Sequence, residues 1–334
     1  MSCLLGKNIE ELQQIALSVG LPKYAGKQLA EWLYVKRATS FDEMTNISIK
    51  GREALKAAYT VGRHAPVKEA ISKDGTRKYL FAIDSQFVEA VYIPEDGRAT
   101  LCVSTQAGCQ MGCKFCMTGT LGFHGHLSAA DILNQILTFD DLTNIVYMGE
   151  GEPMNNIDNV LRSLDVMTAA WGCGWSPKRI TVSSVGVTTG LKRFLDESEC
   201  HLAISLHNPF AAERQQIMPS EMVYPIKDVL NLIKQYDWTH QRRVSFEYIC
   251  FGGQNDSKRH ADELLHLLNG LECRINLIRF HKSEGSVFPA SNERQMEWLR
   301  DYLTEKNLPT TIRKSRGEDI LAACGMLVNA LQQS

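Results

Sequence analysis

The chain has 334 residues, 44% hydrophobic and 22% charged, with a formal net charge of −2. That length accommodates one large domain and a small one with a sizeable core, and the chain lacks the run of about 18 apolar residues that marks a membrane span. Ten cysteines in a chain of this kind speak for metal binding or catalysis rather than a disulfide framework. The opening residues, MSCLLGKNIEELQQ, reach acidic side chains too early for a secretory signal, which predicts a cytoplasmic protein. The near-neutral total neither requires nor excludes a nucleic-acid partner, because a basic patch fits inside it.

In chain order, the spacing of Ile9, Leu12, Ile15 and Ala16 predicts a helix over 8–18. Two more helices are expected over 24–37 and 50–60, separated by the turn-rich TSFDEMTN. Residues 1–70 thus read as a small helical accessory domain; they hold ten Lys/Arg and seven Asp/Glu, a local net of +3. Ser72–Thr76 is a turn, and KYLFAI and FVEAVYI after it predict a β-hairpin, making 71–100 a small β linker. From Leu101 strand-like runs alternate with helical ones. The strands are expected at 101–105, 144–148, 179–184, 201–206, 244–249 and 274–280, and the helices at 128–138, 156–170, 188–197, 225–236 and 257–269. This alternation predicts an α/β fold, a partial (β/α)6 barrel over 101–334, with its active site at the carboxyl ends of the strands.

Cys109, Cys113 and Cys116 stand in a C-x3-C-x2-C spacing just after the first of these strands. Three thiolates on one short loop suit three corners of an iron–sulfur cube and leave its fourth iron open to bind a substrate. A structural zinc site needs four ligands, and His124 and His126 are near enough in sequence to be considered for the fourth. Cys3, Cys173, Cys200, Cys250 and Cys273 match no motif and read as packing residues, as do Met111, Met117 and Met148.

With aromatic Phe115 before its last cysteine, the loop resembles that of the radical SAM superfamily. In that superfamily a 4Fe–4S cluster binds S-adenosylmethionine and cleaves it to a 5′-deoxyadenosyl radical. The stretches VEAVYIPEDGRATLCVSTQAGCQMGCKFCMTGTLGF, GEGEPMNN, ITVSSVGV, LAISLHNP and TTIRKSRGEDILAACG narrow this further. Running in order from about Val88 to Gly325, they resemble the RlmN/Cfr family of RNA adenosine methyltransferases, and RlmN most of all.

The resemblance implies methylation of carbon 2 of adenosine in 23S rRNA, with tRNA as a second candidate, and two S-adenosylmethionine molecules per turnover. A plain methyl transfer fails at that carbon because it is no nucleophile. The family places the methyl group first on a cysteine, here Cys324, and activates that S-methyl group by the radical. A transient protein–RNA crosslink follows, which a second cysteine, here Cys102, resolves by forming a disulfide. Glu89 matches the proton acceptor that restores aromaticity. Gly151 and Glu152, Ser183 (or its neighbour Ser184), Ser205, Leu206, His207 and His281 match cofactor-binding positions. The implied partners are RNA and an electron donor such as flavodoxin; the protein is expected to be monomeric, with no membrane association.

Read on the residues alone, Cys102 is an ordinary strand cysteine, Cys324 a small core residue on a helix, and Glu89 a solvent-facing strand glutamate. Two positions depart from the family pattern. Glu150 stands where the family usually has Met, which places a charge beside the cofactor site, and His281 stands where it commonly has Asn. Lys23, Lys27, Lys36, Arg37, Lys50 and Arg52 are candidate phosphate contacts, or else a solvated helix face. Arg313, Lys314 and Arg316 are expected near the reacting base, which must leave its stack to reach the radical. Competing readings are methylation of carbon 8, a radical enzyme with a non-RNA substrate, and a non-enzymatic zinc- or cluster-binding module.

Overall fold

The computed structural model describes residues 1–238, 242–282 and 286–327. Its main feature is a ten-stranded sheet whose strands lie side by side in chain order. They are β1 (Lys68–Ile71), β2 (Arg77–Ile83), β3 (Gln86–Glu95), β4 (Arg98–Cys102), β5 (Asn144–Tyr147), β6 (Ile180–Ser184), β7 (His201–Ser205), β8 (Val244–Cys250), β9 (Cys273–Arg279) and β10 (Thr310–Ile312). From β4 to β10 all neighbours are parallel, whereas β1 to β4 are antiparallel.

The expected hairpin is present as β2 and β3, paired from Arg77↔Tyr92 to Ile83↔Gln86. It is continuous with the barrel sheet, because β3 also pairs with β4, Val91 opposite Cys102. A seventh parallel strand, β10, follows the helix Glu293–Glu305; neither was expected from the sequence. Parallel strands need covering helices, and the helices Ala129–Leu137, Ile157–Thr168, Thr188–Glu197, Ile226–Ile233 and Lys258–Leu267 provide them with buried apolar stripes. A reciprocal cap between Ser128 and Asp131 sets the start of the first.

The N-terminal residues form their own small unit. Ser2–Cys3 pairs in parallel with Tyr59–Thr60 around the helices Ile9–Ser18 and Ile49–Ala58 and the helix Ala25–Ala30, which continues into a π turn at Glu31–Val35. An Asn8–Glu11 capping box opens the first helix, and Gly26 allows close helix approach, since an added Cβ there would lie 2.7 Å from Gln13 Cα. This unit rests on the outer helices. Glu11 pairs with Arg162 at 2.6 Å, and the Tyr34 ring meets Trp171 edge-on at 5.9 Å. Arg37 donates to the Phe139 carbonyl and pairs with Asp140 at 2.8 Å.

Candidate active site

The cysteine loop leaves β4 and is framed by a two-stranded ribbon, Gln106–Gly108 with Phe123–His126. Cys109 N–H donates to the Gly122 carbonyl at 2.8 Å and Cys116 N–H to the Cys113 carbonyl at 3.1 Å, which fixes the turn. None of the three cysteines is in a disulfide, and all face one cavity. Gly151, Glu152, Ser183, Ser205 and His207 form the wall opposite, each at or just past the carboxyl end of a strand. Burial pushes the Cys109 thiol up to about 12 and raises those of Cys113 and Cys116, so loading metal on them releases protons.

Among the described residues no three His, Cys, Asp or Glu side chains converge on a single ion position. His124 Nε2 contacts the Leu121 carbonyl at 3.0 Å, His126 Nδ1 contacts Gln106 at 3.0 Å, and neither lines the cysteine cavity. Three spaced thiols without a fourth protein ligand fit the separate corners of an iron–sulfur cube better than one zinc ion.

Glu152 is 3% exposed, and its carboxylate accepts Met154 N–H at 3.0 Å and Val185 N–H at 2.9 Å. Burial nonetheless pushes its pKa up to about 6, with these bonds opposing. A carboxylate has about four lone-pair sites, so capacity remains for an ammonium group. Gly151 adopts φ +95, and a Cβ there would lie 2.4 Å from the Gln106 side chain. His207 takes φ +56 and packs edge-on against Phe115 at 4.8 Å. Its Nδ1 accepts Ile249 N–H at 3.1 Å, while burial and then Arg214 push its pKa down to about 3. The imidazole is therefore neutral with its proton on Nε2, a donor.

Arg214 and Glu247 went unnoticed in the sequence. Arg214 is fully buried, donates to the Leu206, Ser205 and Val185 carbonyls, and pairs with Glu221. It thereby holds the ends of β6 and β7 together. Leu206 itself is fully buried in the core and lines neither cavity, so it enters the site only through its backbone. Ser183 and Ser184 both line the cavity, and Ser184, the more buried of the two, accepts Gly186 N–H at 2.8 Å.

Glu150, expected to add charge beside the cofactor, points away from it. The side chain is 1% exposed, lines neither cavity, and accepts Glu89 N–H at 2.8 Å and Gly108 N–H at 3.4 Å. Burial pushes its pKa up to about 8, the bond from Glu89 N–H opposing and the Glu89 charge adding. Glu89 is fully buried, not solvent-facing, and pairs with equally buried Lys78 at 2.9 Å. It shares a face of β3 with Val91 and Ile93, which line the lumen, but does not itself reach the cavity wall.

A second, larger cavity of about 540 Å³ adjoins the first and fills the barrel lumen. Cys102, Cys116, Met148, Arg313 and Cys324 all line it, and Met148 is thus a wall residue rather than a core one. Cys324 lies on an irregular segment rather than a helix, beyond a short turn at Glu318–Ile320. Two hydrogen bonds strap that segment to the cysteine loop: Met117 N–H donates to the Gly325 carbonyl at 2.7 Å, and the Thr118 hydroxyl to the Leu327 carbonyl at 2.9 Å. Lys78 Nζ reaches the carbonyl of Leu321, a residue at φ +52, at 3.3 Å. Cys102 and Cys324 are thereby close enough for each other's charge to be felt. Burial and then Cys324 push the Cys102 thiol up to about 12, while Arg313 draws both thiols down. His281 belongs to this second cavity, with Nε2 at 2.6 Å from Ser315 Oγ and Nδ1 at 3.4 Å from Glu318, and does not line the cysteine cavity.

The candidate phosphate contacts of the N-terminal unit divide. Lys36 pairs with Glu31 at 2.9 Å and Arg52 donates to the Asp42 carbonyl at 2.7 Å, while Arg37 is held as described. Lys23, Lys27 and Lys50 are exposed.

Comparison with known proteins follows the same division. Residues 103–265 match the model of the radical SAM superfamily, and residues 3–61 that of the ribosomal RNA large subunit methyltransferase N-terminal domain. The "probable dual-specificity RNA methyltransferase RlmN" of Bacteroides fragilis is 57% identical over 99% of this chain and 97% of its own. The "dual-specificity RNA methyltransferase RlmN" of Geobacter sulfurreducens is 38% identical over 98% of this chain and 92% of its own. Among solved structures, a radical SAM methyltransferase from Sphaerobacter thermophilus superposes with a TM-score of 0.92 at 34% identity, over 98% of this chain and 99% of that one. The chain belongs to the RlmN family of radical SAM methyltransferases, enzymes that use a 4Fe–4S cluster and S-adenosylmethionine.

Proposed function

We propose that this enzyme methylates carbon 2 of adenosine in 23S rRNA and in tRNA, with Cys324 as methyl carrier and Cys102 as resolving thiol. The single observation that carries the reading is that Cys102 and Cys324, remote in sequence, line one cavity that also reaches Cys116 of the cluster loop. The relatives' dual specificity for RNA supports the substrate class.

Cys109, Cys113 and Cys116 would hold the cluster, with Gly151, Glu152, Ser183, Ser205 and His207 around S-adenosylmethionine. Together these groups supply the one-electron chemistry that an unreactive aromatic carbon demands. Glu152 offers its carboxylate to the cofactor's ammonium group, and neutral His207 donates from Nε2. Cys324 carries the methyl group into the lumen, where the base is placed against it. Cys102 then attacks the Cys324 sulfur, which releases the methylated base and leaves a disulfide. Glu89 is the proton acceptor by its family position, held by Lys78 just behind the lumen wall formed by Val91 and Ile93. His281 acts from the lumen side, towards the RNA or the 313–318 segment.

The division into an accessory unit at 1–70, a β linker at 71–100 and a catalytic core at 101–334 goes with this reading. So do an external one-electron donor such as a flavodoxin, a monomer and a cytoplasmic site of action. Among the described residues no helix is long and apolar enough to cross a membrane.

The test is in vitro methylation by anaerobically reconstituted enzyme of a 23S rRNA fragment and of tRNA, with mass spectrometry of the nucleosides. The expected product is 2-methyladenosine in both. Methylation at carbon 8, or none, would overturn the reading.

A further inference from the structure

The lumen cavity is lined from one end of the strands to the other. At the carboxyl ends stand Cys102, Met148 and Cys324; at the amino ends stand Arg98, the first residue of β4, Arg243, just before β8, and Arg274, the second of β9. Among the described residues the cavity wall carries six Arg or Lys against one Glu. Arg98, Arg243 and Arg274 are exposed, and among the described residues none meets a carboxylate at ion-pair distance. His201 lies among them, its Nδ1 accepting Arg243 N–H at 3.1 Å. Burial, then Arg243, Arg274 and Lys178, push its pKa down to about 4, so it adds no charge of its own near neutrality. Like charges gathered at a cavity mouth repel one another, and an anion relieves that repulsion.

The other end of the lumen carries the cysteine loop. The cysteine loop and the segment up to Leu327 are bonded together across it through Met117, Thr118, Gly325 and Leu327. From Arg98 to Cys102 the strand climbs about 13 Å at roughly 3.3 Å per residue. A nucleotide spans that depth with its phosphate at the mouth and its base at the thiols. The N-terminal unit packs at the same end, on Asp140 and Trp171 in the loops that lead into β5 and β6.

We propose that RNA enters the barrel where the strands begin, with Arg98, Arg243 and Arg274 gripping the phosphodiesters that flank the reacting adenosine. The inference rests on the RNA reading above and adds the route and the contacts. Phosphate contacts made by arginine position the strand without reading its sequence, which suits an enzyme that accepts two RNAs.

The test compares holoenzyme with the double variants Arg243→Ala/Arg274→Ala and Arg243→Lys/Arg274→Lys. Fluorescence anisotropy with a labelled 23S rRNA hairpin fragment is read across a salt series, and RNA-independent methylation of Cys324 is followed by mass. The alanine pair is expected to weaken binding about tenfold or more and to flatten the log–log salt slope by about 1.4, or about 0.7 for each lost single-strand contact. The lysine pair retains the slope, and Cys324 methylation is unchanged in both. Unchanged affinity and slope in the alanine pair overturns the entry route and leaves the RNA reading standing. So does weaker binding with an unchanged slope. Failure of the unmodified holoenzyme to bind or methylate RNA overturns the RNA reading itself.

Discussion

Arg313 and Glu247 meet inside the barrel, Nη1 to Oε2 at 3.4 Å, and the Cys324 thiol lies against the same guanidinium. Glu247 is otherwise anchored by Asn276 at 2.8 Å, so the arginine is fixed from below while it faces the sulfur. A thiol must become a thiolate to accept a methyl group. Burial raises the Cys324 pKa, and Arg313 is the group that most strongly opposes that rise after burial itself.

Replacing Arg313 by Met is therefore expected to slow both methylation and alkylation of Cys324. The midpoint of the iodoacetamide rate–pH profile should move to higher pH, leaving less thiolate at neutral pH. Arg313→Lys should recover part of the shift. A profile that does not move would remove Arg313 from the account.

Glu152 yields a pH dependence of cofactor binding. Its carboxyl is pushed up to about 6 by burial, so it gains a proton as the pH falls through that value and no longer attracts an ammonium group. Affinity for S-adenosylmethionine, measured by equilibrium dialysis on the cluster-loaded protein, should fall as the pH drops from 7 to 5. Glu152→Gln should bind roughly tenfold to a hundredfold more weakly, the worth of a charged hydrogen bond, and should lose the pH dependence. Retention of the pH dependence in the variant would assign it to another group.

Glu150 affects stability rather than binding. Its folded pKa, raised from 4.5 to about 8, means that the folded state holds a proton that the unfolded chain has released. That contribution is complete below the ordinary carboxylate range and is lost as the pH rises towards 8. Glu150→Gln keeps an acceptor for Glu89 N–H and removes the titration. The variant should melt higher than the parent at pH 8, by on the order of 5 °C, with a flatter dependence of Tm on pH between 5 and 8. Equal slopes in the two proteins would contradict the buried carboxyl's role.

Much of this was legible in the sequence, for identifiable reasons. Parallel strands buried on both faces announce themselves as apolar runs between helices, and all six expected strands are present within a few residues. The missed β10 has only three residues, TTI, too few to show a pattern. The cysteine loop stood out because its residue types and spacing carry the chemistry, whereas Cys324 stood out only through the family resemblance, since a lone cysteine has no spacing to mark it. Glu150 was misplaced because sequence fixes its neighbours but not the direction of its side chain; backbone N–H groups of Glu89 and Gly108 draw it inward. Arg214 left no trace, since a lone arginine on a short helix reads as surface until the carbonyls it collects from β6 and β7 are seen. The basic mouth was equally hidden, because Arg98, Arg243 and Arg274 come from three separate strand starts that only the barrel brings together.

The central claim is that Cys324 carries the methyl group into the lumen and Cys102 releases it. The most direct measurement is denaturing gel electrophoresis of the Cys102→Ala holoenzyme after reaction with labelled 23S rRNA fragment and S-adenosylmethionine. The account predicts a covalent protein–RNA species, mapped to Cys324 by mass spectrometry and absent when Cys324 is also replaced by Ala. Cofactor consumption with only free RNA recovered, or a crosslink at any other residue, would contradict it.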